Sequence, residues 1–134
     1  MFETVLFPID QSRESGQAAE TVAKLVKVHN SRLVILSVVK SAEDADPSEA
    51  MTSPEAIAKL LSSAKNLFAQ QGIAAETIER EGKPAFTICD VADEIEADLI
   101  IMGCRGMGLT DEGIADSVTN RVINLSPCPV MVVP

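Results

Sequence analysis

Five short apolar runs, separated by four stretches of helical periodicity, constrain this chain more than any other feature. The runs are Val5-Leu6-Phe7, Leu33 to Val39, about Ile73 to Arg80, Leu99-Ile100-Ile101-Met102 and Cys128-Pro129-Val130-Met131-Val132-Val133. Between them apolar residues recur three and four apart: Ala19, Val22, Ala23 and Val26; Ile57, Leu60, Leu61, Ala64, Leu67 and Phe68; Ile88, Val91, Ala92 and Ile95; Val118, Val122 and Leu125. Strict alternation of this kind predicts an α/β fold in which a parallel sheet is covered by helices on both faces. The second and fourth runs are nearly free of polar residues, as strands buried on both sides are. The third interleaves Glu76, Thr77 and Glu79, which suits a sheet edge.

Punctuation agrees with that reading. Pro8 closes the first strand, and Ser12 is placed to cap a helix that runs to about His29. Gly72 stops the second helix and Gly82-Lys83-Pro84 opens the third. Residues 41–53 are acidic and aperiodic, the one stretch long enough to be a loop with a role of its own. No repeat or low-complexity tract divides the 134 residues, so a single domain over 1–134 is expected. A chain of that length buries roughly two-thirds of its unfolded surface and needs no disulfide or metal to fold.

Charge removes whole classes of partner. The formal net charge is −9, from 11 basic and 20 acidic side chains. Nucleic acid and anionic membrane surfaces both require a basic patch, so neither is expected as a partner. Most of the excess acid falls in residues 41–104, on middle helices and loops. There is no Trp or Tyr and there are four Phe, which leaves no aromatic platform for stacking bases or a flavin. Three cysteines, Cys89, Cys104 and Cys128, without a C-x-x-C pair fit a reducing, cytoplasmic setting. Every apolar run is far shorter than the about twenty residues of a membrane helix.

Ligands of open parallel sheets bind beyond the carboxyl ends of the strands, where the strand order reverses. Two strand ends here carry suggestive residues. Pro8-Ile9-Asp10 follows the first strand, and Gly103-Cys104-Arg105-Gly106-Met107-Gly108 follows the fourth, leading to a helix start at Asp116-Ser117-Val118-Thr119. Glycines before a helix N-terminus make an anion cradle of backbone donors. The loop is not a Walker A motif, since no Lys-Ser or Lys-Thr follows, and its glycine spacing is the reverse of G-x-G-x-x-G.

These residues resemble the universal stress protein family from end to end. The likeness is carried by Val5-Leu6-Phe7-Pro8-Ile9-Asp10 with Ser12 and Ser15, by Ala97 to Gly106, and by Asn120-Arg121-Val122 with Ser126 to Val133. It implies a Rossmann-like, doubly wound five-stranded parallel sheet of order 3-2-1-4-5 with four helices. Asp10 and Gly103 then lie side by side at the switch point. Nucleotide-binding members carry Gly-x2-Gly-x9-Gly-Ser/Thr. Here Gly103, Gly106 and Ser117 match, but the third glycine is Asp116. An acid there sets charge against phosphate: two unit charges at about 5 Å in an effective dielectric of about 20 repel by roughly 3 kcal/mol, on the order of a hundredfold in affinity.

Three readings therefore stand open: ATP bound with Mg²⁺ between the phosphates and Asp116 or Asp10; AMP or cyclic AMP; or no nucleotide. The resemblance implies that adenine and ribose lie against Pro8, Ile9, Asp10, Val38, Val39, Met102 and Gly103, with main-chain groups around Val39 reading the adenine edge. Gly106, Ser117, Val118 and Thr119 would face the phosphates, with Arg105 and Asp116 near them. The plainer alternatives are that Asp10 and Asp116 simply cap helices, that Cys104 fills space, and that the lone His29 complements a helix dipole.

No Ser/His/Asp or Cys/His set can be assembled around one helix-terminal His, so enzyme chemistry beyond slow ATP hydrolysis or self-phosphorylation is not expected. The expected role is that of a stress-responsive regulator that binds an adenine nucleotide, with a nucleotide-free interaction or chaperone-like protein as the alternative. The last strand lacks any charge to blunt a sheet edge, and in the family it pairs across a two-fold, so a homodimer through Pro129 to Pro134 is expected.

Overall fold

The computed structural model describes residues 2–9, 14–39, 54–103 and 118–133. These form, in order, β1 (Thr4–Pro8), α1 (Glu14–His29), β2 (Arg32–Val39), α2 (Pro54–Gln70), β3 (Ala75–Glu81), α3 (Pro84–Glu94), β4 (Leu99–Gly103), α4 (Val118–Leu125) and β5 (Val130–Val133). The strands make one parallel sheet of order β3-β2-β1-β4-β5, the predicted topology.

Strand alternation sorts the apolar residues into two layers. Val5, Phe7, Ile9, Leu33, Ile35, Leu99 and Ile101 pack against α1 and α2, joined by Ala18, Val22, Val26, Ile57, Leu61 and Phe68. Leu6, Val34, Leu36, Ile100 and Met102 face the other way, onto Ala85, Ile88, Cys89, Val91 and Ala92 of α3 and Val122 of α4. β1, β2 and β4 are covered on both faces, which is why their sequence shows no polar alternation.

Three helices leave through the same device. Asn30, Gly72 and Glu96 adopt φ of 53°, 79° and 54°, in the left-handed region. The next residue's N–H then reaches back five positions: Ser31 to Val26, Ile73 to Phe68 and Ala97 to Ala92, at 3.1, 2.9 and 2.9 Å. This closes each helix and aims the chain at the following strand. It also shifts the start of β3. Ile73 is buried not as its first residue but as the apolar contact of the α2 exit, and pairing begins at Ala75.

The same end of the sheet is stitched further. The Arg32 N–H donates to the Glu3 carbonyl at 2.7 Å, the Asp98 N–H to the Thr4 carbonyl at 2.8 Å, and the Thr4 N–H to the Asp98 carboxylate at 3.0 Å. His29 ends α1 as expected, its ring edge-on to Phe2 with centroids 5.3 Å apart. Two expected core positions are corrected: Leu67 is 56% and Leu125 47% exposed. Leu67 turns off the buried stripe of α2, and Leu125 ends α4 beyond the layer that Val122 anchors.

Candidate functional site

β1 is the central strand and its two ladders differ in length. With β2 it pairs from Thr4↔Arg32 to Pro8↔Leu36, and the Ile9 N–H adds a bond to the Leu36 carbonyl at 2.8 Å. With β4 it pairs only at Val5↔Leu99 and Leu6↔Ile100, although β4 continues through Gly103. β1 and β4 are consecutive in space but not in sequence, with the chain leaving β1 toward β2 on one side and reaching β4 on the other. This is the switch point, and open parallel sheets take their ligands in the crevice beyond the carboxyl ends of the strands at such a point.

Main-chain direction decides which polar groups line that crevice, because successive residues of a parallel strand address opposite neighbours. The Gly82 N–H donates to the Val39 carbonyl at 2.8 Å, so Val39 faces β3 and its carbonyl is engaged there. Leu36 faces β1. Val38, two residues on, shares the direction of Leu36 and addresses the β1 side above Ile9, past the last β1–β2 rung among the described residues. On β4, the Ile100 N–H donates to the Pro129 carbonyl at 3.0 Å and so faces β5. Ile101 and Gly103 therefore address β1 and the crevice.

The α4 N-terminus is tied to this edge. The Thr119 hydroxyl, buried at 8% exposure, donates to the Gly103 carbonyl at 3.2 Å. That bond fixes the first turn of α4 over the end of β4 and uses the hydroxyl proton inside the protein. Val118, beside it, is half-buried against the α3/α4 layer. The expected lining residues thus divide. Thr119 is joined to Gly103 at the C-terminal edge, where Pro8 ends β1 as a buried residue and Val38 and Val118 pack partly against the α3/α4 layer. The Ile9 and Met102 side chains are spent on the two core layers, at 4% and 1% exposure, and Val39 packs toward α1 and α2. Asp10, Arg105, Gly106, Asp116 and Ser117 lie outside the described residues.

The wall beside Val39 depends on one glycine. Gly82 has φ of 153°, and a Cβ there would lie 2.5 Å from the Thr87 hydroxyl oxygen. Only glycine passes this point from β3 into α3 without displacing Thr87. The sequence marks Gly82 as a helix start but does not show its second bond, to Val39; the G-x-P spacing alone does not reveal that the β2 end is its partner.

Among the described residues two cysteines are the candidate nucleophiles. Burial pushes the Cys89 thiol up, helped by Asp90 and by Cys128. Burial also raises Cys128, against a lowering hydrogen bond from Ser126. Both stay protonated at neutral pH and are poor nucleophiles. Among the described residues no group of three or more His, Cys, Asp or Glu is placed to hold a metal ion, and Asp10 and Asp116, the acids expected to meet Mg²⁺, lie outside them. No helix among the described residues is long and apolar enough to cross a membrane.

Known proteins point to one family. The model of the universal stress protein family matches residues 1–134. A universal stress protein of Synechocystis sp. is 65% identical over 136 residues, covering 100% of this chain and 87% of that protein. One from Bacillus subtilis is 33% identical, covering 99% of each. Among solved structures, a universal stress protein from Lactobacillus plantarum superposes with a TM-score of 0.83 at 26% identity, covering 99% of this chain and 98% of that one. A universal stress protein in complex with cAMP gives 0.81 at 23% identity, covering 99% and 97%. An Arabidopsis thaliana family member with AMP bound gives 0.73 at 22%, covering 97% and 90%. A further structural neighbour, from Archaeoglobus fulgidus, is in complex with dAMP.

Proposed function

Because the chain belongs to the universal stress protein family, we propose that it binds an adenine nucleotide in the crevice beyond β1 and β4 and acts as a stress-responsive regulatory homodimer in the cytoplasm. One observation carries the nucleotide reading: β2 overhangs the end of β1, so the Val38 main chain presents an N–H donor and a C=O acceptor to the crevice from one residue. Such a pair complements the adenine edge, where a ring nitrogen accepts and the exocyclic amine donates. Val38 takes the role that the sequence assigned to groups around Val39, whose carbonyl serves β3.

The ribose end falls to Pro8, Gly103 and Asp10. The phosphate end falls to Gly106, Ser117, Val118 and Thr119, with Arg105 and Asp116 beside them. Structural neighbours bound to cAMP, AMP and dAMP support a ligand with few phosphates. So does Asp116, since each further phosphate adds charge near an acid. Magnesium would be held through the phosphates and Asp10 or Asp116, where it would offset that charge.

Calorimetry with AMP, cyclic AMP and ATP, with and without Mg²⁺, tests the reading. AMP or cyclic AMP binds more tightly than ATP without metal, and Mg²⁺ narrows the gap. Asp116→Gly tightens ATP more than AMP, by up to about a hundredfold. Silence toward all three nucleotides overturns the reading and leaves an interaction protein whose phosphate site is closed by Asp116.

The homodimer reading rests on β5. Its residues Val130–Val133 carry no charge, are only half-buried in the single chain, and form the free edge beside β4. Pairing with a second copy satisfies that edge.

A further inference from the structure

The ladder between β1 and β4 stops short for a reason written in one residue. Thr4 faces β4, since its carbonyl accepts the Asp98 N–H, while Ile9 faces β2. By the same alternation Pro8 faces β4. The observed pairing Leu6↔Ile100 sets the next rung: the N–H of residue 8 would donate to the carbonyl of Ile101, which faces β1. Proline has no N–H. On its other flank the strand loses nothing, because the β1–β2 bonds around this level come from Phe7 and Ile9, and pairing there continues to Pro8↔Leu36. A proline at any odd position of β1 would have cut the ladder to β2 instead.

We infer that Pro8 is a positioning residue for the nucleotide site: by withholding one hydrogen bond it ends the β1–β4 ladder at Leu6↔Ile100 and keeps the crevice open. The inference rests on the nucleotide reading above for its consequence, though not for its geometry. Hydrogen-bonded neighbouring strands sit about 4.8 Å apart, too close to admit a sugar between their ends. One more rung would carry that spacing to the level where Gly103 presents its main chain. The fixed φ of proline further holds the exit of β1 in one direction. Pro8 is itself buried, on the sheet face opposite to that of Phe7 and Ile9, which fill the α1/α2 layer.

Two full-length variants separate the missing donor from the lost ring. Pro8→Ala restores the N–H; lactate incorporated at position 8 keeps the same methyl side chain but replaces the N–H with an ester oxygen. In the ligand-free Pro8→Ala protein the new amide exchanges at least about a hundredfold more slowly than an unprotected one. A through-hydrogen-bond coupling links its nitrogen to the Ile101 carbonyl carbon. In calorimetry the alanine variant binds AMP about tenfold more weakly than the lactate variant. A new amide that exchanges freely and shows no coupling, or equal AMP affinity in the two variants, overturns the inference. Wild-type protein silent toward nucleotides while the Pro8→Ala variant shows the coupling would instead sink the nucleotide reading and leave the rung standing.

Discussion

The two edges of the sheet are opposite solutions to one problem. β3 leaves its outer side open but carries Glu76, Glu79, Arg80 and Glu81, two of them tied to neighbouring elements. Arg32 on β2 grips Glu76 through two guanidinium nitrogens, one of them 3.0 Å from its carboxylate oxygen, and Arg80 reaches Glu94 on α3 at 3.1 Å. β5 leaves its outer side open with Val130, Met131, Val132 and Val133 and no charge at all. An edge meant for water is blunted by charge; an edge without charge is stable only when something pairs with it. The proposed homodimer accordingly uses the β5 side of the sheet and not the β3 side.

The largest effect expected from breaking this contrast is at β5. Val132→Lys places a charge on the apolar edge and, in the proposed homodimer, sets it against the same charge of the second copy. The dimer dissociation constant should rise at least about a hundredfold, which is about 2.7 kcal/mol. Sedimentation velocity at micromolar concentration reads this as conversion from dimer to folded monomer. A wild-type chain that sediments as a monomer contradicts the proposed use of β5.

A smaller effect is expected where the charged edge leaves the sheet. Gly82→Ala combines a φ that side chains rarely adopt with a Cβ 2.5 Å from the Thr87 hydroxyl oxygen. A loss of about 1–3 kcal/mol of stability is expected, measured by denaturant unfolding, with the dimer constant unchanged. Thr87→Ser in that background should not restore it, since the hydroxyl remains.

The smallest effect belongs to the surface pair. The hydrogen bond and charge of Arg32 hold the Glu76 carboxyl below the usual carboxylate range. A carboxyl with a depressed folded pKa adds stability above its unfolded pKa and loses it as pH falls through the folded one. Glu76→Gln should therefore destabilise slightly at pH 7 and not at all once the pH lies below both values, as denaturant unfolding across that pH range would read. Both side chains are about half exposed, so the difference is small even where it is largest.

Much of this was legible in the residues. Glutamates within the third run marked an edge, and the uncharged last run marked another. Gly72 and Pro84 marked where helices stop and start. What could not be read is what depends on register. Nothing in Val38-Val39 tells which of the two turns its main chain toward β1; that follows only once Pro8↔Leu36 and Val39↔Glu81 are fixed. Pro8 could be recognised as a strand end, but whether it cut the ladder to β2 or to β4 depended on parity. That Thr119 opens a helix is legible in the sequence; that its hydroxyl donates to Gly103 is not. Leu125 kept the helical spacing yet fell past the core, because periodicity gives a face and not the length over which that face is covered.

Between the two edges lies the crevice of β1 and β4, where a nucleotide is proposed to enter. An amide-resolved NMR titration of the full chain with AMP probes that entry without intermediaries. The amides of Val38, Gly103 and Thr119 should shift together and saturate at one affinity, while those of Glu79 and Val132 at the sheet edges stay in place. No shift at saturating AMP, or shifts confined to an edge strand, would refute a nucleotide site between β1 and β4.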